Sequence, residues 1–444
     1  MLDNRVDIFR DIFPRAFPQD QFMNQVTPMP KRTFERTLPW LTFQADLKRA
    51  GMNLWMLLGE ARSKCEHLAG SPLRPDVALK LYQIYLSKWI HATTSIEGNT
   101  LTEDEVRQRV EGRLPLSRSR EYLGREVDNI ARACEEITRM MLGGATIPLT
   151  AQNIRDFNQR ALQDLSVEDG VVAGEYRTFS VGVGSYRGAP AEDCPYLLDR
   201  MCEWLDGEGF RSDDPEKSFV FTFLKAVLAH LYIAWIHPFG DGNGRTARLV
   251  EFQLLAQSGL LPLPAAHLLS NHCNKTRTRY YQELDCASRS GGDIIPFVVY
   301  AAEGFVDGLR EQLSFVREQQ LEVTWENFVH DHFRGLDGIV ERRRKHLVLD
   351  MPRGVLVPRN EVTQISPRVA LEFARKSEKT VSRDLEALIE SGLLQREEGR
   401  YKAARETILA FLPPTCPPPA TSTAKGDKSP TGRVRTRRSK PEKN

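Results

Sequence analysis

Two strongly apolar stretches with helical character, Phe219–Ile236 and Leu249–Leu260, are joined by the segment HPFGDGNGRTAR at residues 237–248, and this junction constrains the chain more than any other segment. It reads as helix, loop, helix. The alternating Gly240, Gly242 and Gly244 let the backbone turn sharply and approach a ligand closely, and the N-terminus of the second helix offers unpaired N–H groups and a positive dipole end. That combination is a phosphate cradle. Arg245 and Arg248 stand at i and i+3, which puts both guanidinium groups on one helix face to grip further phosphate oxygens, so a di- or triphosphate fits. Gly242, Asn243, Gly244, Arg245 and Arg248 are the expected phosphate-binding residues. Asp241, a hard oxygen ligand beside the turn, is placed to hold Mg²⁺ together with substrate oxygens. His237 is the only nearby group able to take a proton near neutral pH, which makes it the expected general base. Pro238 and Phe239 are scaffold.

Composition bounds the rest. The 444 residues exceed what one core usually serves, and 41% hydrophobic with 27% charged residues is ordinary globular usage, so a fibrous repeat and wholesale disorder are excluded. The longest uncharged apolar run, Ala226–Gly240, is shorter than the ~20 residues of a spanning helix, and the first residues lack a signal-peptide pattern, so no membrane contact and a cytoplasmic location are expected. The seven scattered cysteines contain no CxxC pair and read as reduced thiols.

The expected organisation has five parts. Residues 1–45 are an irregular N-terminal arm, 46–145 a helical region, 146–320 a catalytic core, 321–412 a linker helix with a second small domain, and 413–444 a disordered tail. Eight lysines and arginines against two acids from Lys425 onward place the chain's basicity in that tail, which suits either solubility or contact with nucleic acid. In the second domain Ser366-Pro367 and Ser377 start two short helices, Gly392 ends the second, and Leu393 to Tyr401 read as a two-stranded wing. This is a winged helix-turn-helix outline.

The junction resembles the Fic family motif His-x-Phe-x-Asp/Glu-Gly-Asn-Gly-Arg-x-x-Arg, and every position is filled between His237 and Arg248. The likeness extends from about Met52 through Ala302. It includes Gly174-Glu175-Tyr176-Arg177, similar to the family's entry into a β-hairpin flap, and Val181-Gly182-Val183-Gly184, where family members lay target and nucleotide against flap backbone. Between Arg187 and Cys194 the chain departs from the family's aromatic and proline run. Tyr280-Tyr281 resembles the helix that flanks the nucleotide base, although tyrosines at helical spacing from Leu284 also suit a core. Thr93-Thr94-Ser95-Ile96-Glu97-Gly98 resembles the family's inhibitory motif, with Glu97 as its glutamate; a carboxylate beside Arg248 would form a bidentate pair and take the position of a γ-phosphate oxygen.

The resemblance implies a mostly α fold: a Fic-type helical bundle with a short β-hairpin flap, plus the small C-terminal winged-helix (α+β) domain. It implies a protein adenylyltransferase moving AMP from ATP to a hydroxyl of a target protein, with Mg²⁺, restrained by Glu97. The nucleotide-binding set is then Gly242, Asn243, Gly244, Arg245, Arg248, Val181, Gly182, Tyr280 and Tyr281. Two alternatives stay open: removal of AMP at the same site, or a DNA-binding regulator reading bases through Thr380, Ser382 and Arg383, opposed by Asp384, Glu386 and Glu390. Target, oligomeric state and a homo-oligomer are left open.

Overall fold

The computed structural model describes residues 32–184 and 186–409; residues 1–31, Ser185 and 410–444 lie outside the described part, and with them most of the expected N-terminal arm and the whole expected tail. The chain divides into two units between Leu321 and Glu322. The first unit holds α1 (Thr33–Thr37), α2 (Met52–Gly70), α3 (Pro75–Ser95), α4 (Glu103–Val110), α5 (Glu121–Leu142), α6 (Ala151–Ala161), the hairpin β1 (Gly182–Val183) and β2 (Tyr186–Arg187), α7 (Cys194–Leu205), α8 (Pro215–Ile236), α9 (Asn243–Ala256), α10 (Leu268–Lys275), α11 (Arg277–Arg289) and the part of α12 (Ile295–His332) up to Leu321.

Helix α8 sets the arrangement. The Asp214 side chain accepts the Glu216 N–H and Pro215 takes the first turn, so the helix begins where its backbone donors are already satisfied. From Phe219 to Ile236 only Thr222, Lys225 and His230 interrupt its apolar side chains, and a helix apolar on nearly every side must be surrounded. Among the described residues it is the one helix long and apolar enough to cross a membrane, yet 78% of that apolar window is buried inside the protein. Helix α9 packs along it, with α7 on another side, while α3, α5 and α6 cover α9. Trp89 of α3 meets Phe252 of α9 at 5.3 Å and His267 at 5.4 Å, and all three are buried. Truncating Trp89 there should cost about 3–5 kcal/mol.

Two expectations change. The stretch around residues 32–47, read as irregular, closes onto the core through Phe34, Leu38, Leu41 and Leu47, and the Phe34 N–H donates to Asp193 at 2.8 Å. Contacts of that kind are tertiary and leave no period in the sequence. The hairpin expected over Tyr176–Tyr186 shrinks to two residues per strand, because Tyr176 pairs instead with Phe239 of the glycine loop.

The second unit contains the rest of α12, α13 (Ile339–Asp350), β3 (Val357–Pro358), α14 (Pro367–Phe373), α15 (Glu378–Glu390), β4 (Leu394–Glu397) and β5 (Arg400–Ala403), with antiparallel strand order β3-β5-β4. Ser366 and Ser377 cap α14 and α15 by accepting the N–H groups of Val369 and Thr380. Val369, Phe373, Val381, Leu385 and Leu388 share one buried core. The strand β3 was not foreseen, since two residues carry no alternation.

His267 yields a stability prediction. Its ring stacks on Phe252 at 4.7 Å with both nitrogens unbonded, and burial pushes its pKa down to about 3. The unfolded chain takes that proton near pH 6.5 and the folded chain does not, so stability falls as pH drops below about 6.5. The variant His267→Leu should lose about 1 kcal/mol less between pH 7 and 5.5 than the wild type, measured by urea unfolding.

Candidate active site

The chain leaves α8 through a conformation that a side-chain-bearing residue rarely takes. His237 sits at φ 51°, ψ 58°, the left-handed region, at a cost of about 1–2 kcal/mol. Its surroundings hold it there. The His237 N–H donates to Ile233 O at 2.9 Å, and ring Nδ1 lies 3.3 Å from Ala234 O, which as an acceptor puts the proton on Nδ1 and leaves Nε2 bare. Burial lowers the His237 pKa, with the nearby Arg177 charge adding to that and the Ala234 carbonyl, Glu97 and Asp241 opposing it. The imidazole is therefore a neutral base at neutral pH.

Arg177 organises the turn. Its Nε donates to His237 O at 2.7 Å, Nη1 to Phe179 O at 2.6 Å, and Nη2 to Ile236 O at 3.4 Å and to Ala189 O, while its own backbone N–H donates to Pro238 O at 3.1 Å. It is 3% exposed. A guanidinium with several donors in one plane satisfies a ring of carbonyls that an ammonium could not span. Replacing Arg177 by Gln should cost about 3 kcal/mol or more by leaving buried carbonyls unpaired, and Arg177→Lys should recover little; denaturant unfolding of both variants checks this. The quartet Gly174–Arg177 drew notice in the sequence, but nothing there assigned this role.

The next turn is clamped twice. The Asn243 amide accepts the Phe239 N–H at 3.0 Å and donates to Phe239 O at 2.8 Å, and the buried Phe239 ring stacks on Tyr176 at 6.2 Å. Asn158, fully buried on α6, donates to Asp241 O at 2.9 Å and Thr246 Oγ1 at 3.1 Å and accepts the Gly174 N–H at 2.9 Å. A lone asparagine in a helix carried no sequence signal for this. Gly242 takes φ 75°, and a β-carbon there would come within 2.9 Å of the Asn158 amide, so the position needs glycine on both counts.

The two arginines of α9 part company. Arg248 is wholly buried: Nε donates to Thr93 Oγ1 at 2.7 Å and Nη2 to Thr93 O at 3.0 Å and to Glu97 Oε1 at 2.5 Å, while Nη1 has no partner. Arg245 instead reaches Glu126 at 2.7 Å and Asp241 at 2.9 Å. The shared grip expected from their spacing is thus absent, because Glu126 draws the Arg245 guanidinium to α5. Glu126 also accepts from the Asn99 amide at 2.9 Å, so Asn99, Glu126, Arg245 and Asp241 form one chain of polar contacts. Neither Asn99 nor Glu126 was singled out from sequence.

Glu97 sits in the turn after α3, just before Gly98 at φ 103°. A β-carbon on Gly244 would lie 2.2 Å from Glu97 Oε1, so the carboxylate rests directly over the first turn of α9. It occupies the place that a phosphate would take at this helix N-terminus. Burial raises its pKa, but Arg248, Arg245 and the Arg248 hydrogen bond outweigh that, and the net shift is downward. Glu97 is an anion held by the cradle.

These groups border a cavity of about 540 Å³, within the usual range for small-molecule sites. Glu97, His237, Asp241, Gly242, Asn243, Gly244, Arg248, Tyr280 and Tyr281 line it, joined by Tyr186, Leu284 and Asp285. Of the expected residues, Arg245, Val181 and Gly182 do not; the hairpin contributes Gly184 and Tyr186 instead. Tyr280 is 3% exposed and Tyr281 40% exposed, so one is core that shows a face to the cavity and the other a true wall. Arg277, one turn before Tyr281, donates to Ser95 O at 3.2 Å and Ile96 O at 2.7 Å, tying the carbonyl end of α3 to α11. Asp241 fits a Mg²⁺ ligand: a half-exposed hard oxygen donor on the cavity wall. No cluster of three metal-ligating side chains exists among the described residues, so further ligands would be phosphate oxygens and water.

The Fic/DOC family profile matches residues 148–255, which include α6, the hairpin, α8, the loop and most of α9. Among characterised proteins, the chain is 30% identical over 248 residues to protein adenylyltransferase fic-1 of Caenorhabditis briggsae, covering 55% of this chain and 44% of that protein. It is 30% identical over 214 residues to protein adenylyltransferase Fic of Drosophila ananassae, covering 48% and 39%. The chain thus spans less than half the length of these relatives. Among solved structures, Fic-1 (residues 134–508) of C. elegans matches with a TM-score of 0.48 at 24% identity, covering 60% of this chain and 73% of that one. A Fic family protein from Desulfovibrio desulfuricans G20 matches with a TM-score of 0.47 at 21% identity, covering 79% and 95%. With the loop, its histidine and its arginine in place on one cavity, the chain carries a domain of the Fic/DOC family.

Proposed function

We propose that the chain is a protein adenylyltransferase that moves AMP from ATP to a Ser, Thr or Tyr hydroxyl of a target protein and is restrained by Glu97. The observation that carries this reading is the carboxylate of Glu97 resting on the α9 N-terminus and Arg248, in the same cavity as the bare Nε2 of His237. An anion cradle filled by the protein's own anion supports both a phosphate substrate and a brake.

In the proposed reaction His237 Nε2 takes the proton of the target hydroxyl as its oxygen attacks the α-phosphorus of ATP; the bond to the bridging oxygen breaks and pyrophosphate leaves. Backbone N–H groups at Asn243 and Gly244 and the unpartnered Arg248 Nη1 stabilise the phosphate charge. Mg²⁺, when bound at Asp241, supplies further charge neutralisation on phosphate oxygens. Asn158, Arg177 and Asn243 keep the loop in register and touch no substrate.

The downward shift of His237 fixes a pH dependence. As a base it must be unprotonated, so kcat/KM should fall as pH drops through an apparent pKa below the ordinary histidine value of 6.5 and stay flat up to pH 8. An inflection above 7 would assign the base elsewhere.

One observation favours a second role for residues 322–409. Asp384, expected to repel nucleic acid, is 1% exposed and turned inward onto Arg343 at 2.6 Å and Arg344 at 2.9 Å. Arg375, Lys376, Lys379 and Arg383 remain exposed before and along the first turns of α15. That arrangement supports a winged helix-turn-helix contact with DNA phosphates. The full chain should shift duplex DNA in a salt-dependent way, and the double variant Lys379→Glu, Arg383→Glu should abolish the shift; equal shifts would contradict this role.

A further inference from the structure

The cavity's tyrosines share a property that bears on which base it accepts. All three hydroxyls are directed to protein. Tyr186 donates to Trp235 O at 2.7 Å and Tyr281 to Ile96 O at 3.4 Å. Tyr280 OH lies 2.9 Å from His230 Nε2, and His230 Nδ1 lies 2.7 Å from Glu251 Oε2. A carboxylate only accepts, so Nδ1 carries a proton toward Glu251; in the neutral ring Nε2 then accepts and the Tyr280 O–H donates to it. His230 and Glu251 are 1% and 3% exposed, so this pair fixes the Tyr280 ring from inside the core. Tyr280 and Tyr281 therefore offer chiefly ring surface to a ligand, their hydroxyls being turned to His230 and Ile96.

Helix α11 adds one polar group of opposite character. Asp285 follows Tyr281 by four residues and Leu284 by one, so the three share the helix face that lines the cavity. The Asp285 side chain is 36% exposed and pairs with Arg289 at 3.0 Å. A carboxylate has about four lone-pair positions and can accept another hydrogen bond while keeping an arginine. It cannot donate one.

We infer that Asp285 selects the nucleotide base, accepting a hydrogen bond from the exocyclic amino group of a 6-aminopurine that lies against Tyr280, Tyr281 and Leu284, and rejecting a 6-oxopurine. This rests on the nucleotide-transfer reading and names its base class. A purine with an amino group at position 6 points a donor at the carboxylate; one with a carbonyl there points a lone pair at it. The aromatic wall accepts either base equally, so discrimination falls to Asp285.

The test uses ADP and IDP, which differ at that position, measured by calorimetry on the full-length Glu97→Gly variant, where the cradle is cleared. ADP should bind about tenfold or more tighter than IDP. Adding Asp285→Ala should bring the two to within about twofold, and Asp285→Asn, whose amide donates as well as accepts, should narrow or reverse the preference. A structural loss at Asp285 would weaken both nucleotides together and leave their ratio unchanged, which would overturn the inference. Equal binding of ADP and IDP before Asp285 is changed would overturn it too and leave nucleotide transfer standing. Absence of binding by either nucleotide would remove both readings.

Discussion

Replacing Glu97 by glycine should raise ATP-dependent labelling of protein by on the order of 10- to 100-fold, the equivalent of freeing a guanidinium from one charge-assisted hydrogen bond. The direction follows from position. Glu97 accepts from Arg248 Nη2 at 2.5 Å and its Oε1 lies 2.2 Å from where a Gly244 β-carbon would be, so an incoming phosphate must displace it from both the arginine and the helix N-terminus. A structural role alone gives the opposite sign, since glycine in the turn after α3 costs up to about 1 kcal/mol and restores nothing. The double variant Glu97→Gly, Arg248→Ala should cancel the gain, because the benefit runs through that arginine. Labelling of the wild type and both variants at equal folded concentration checks all three expectations.

The second large effect is a loss. His237→Ala should lower labelling in the Glu97→Gly background by about 10²- to 10⁴-fold, the usual worth of a positioned general base, while ADP binding stays within about threefold. Alanine keeps a β-carbon at a left-handed position that Arg177 already holds through the backbone carbonyl, so the loop geometry should survive. Titration calorimetry beside the labelling assay separates lost chemistry from lost binding.

Residues joined by local rules were legible from sequence. The loop from His237 to Arg248 announced its glycines, its helix N-terminus and its acid, and α8 and α9 followed from the strongly apolar stretches on either side of it. The caps at Ser366 and Ser377 did likewise. What stayed hidden depends on distant partners. Spacing put Arg245 beside Arg248, but Glu126, 119 residues away, claims its guanidinium. Asn158 and Arg177 act by meeting the loop from α6 and the flap, and a buried arginine satisfied by carbonyls has no sequence pattern. Asp384 looked like a surface charge on an exposed helix until Arg343 and Arg344 of α13 turned it inward. Helical periodicity says which face is buried; it does not say which charge on that face has found a partner.

The most direct measurement of adenylyl transfer uses the Glu97→Gly protein with ATP labelled either at the α- or at the γ-phosphate, followed by detection of label on protein. Attack at the α-phosphorus leaves AMP on the hydroxyl and releases pyrophosphate, so label from the α position should appear on protein, label from the γ position should not, and His237→Ala should remove the signal. Label arriving from the γ position, or α-label that is indifferent to both Glu97 and His237, would contradict transfer of AMP at this cavity.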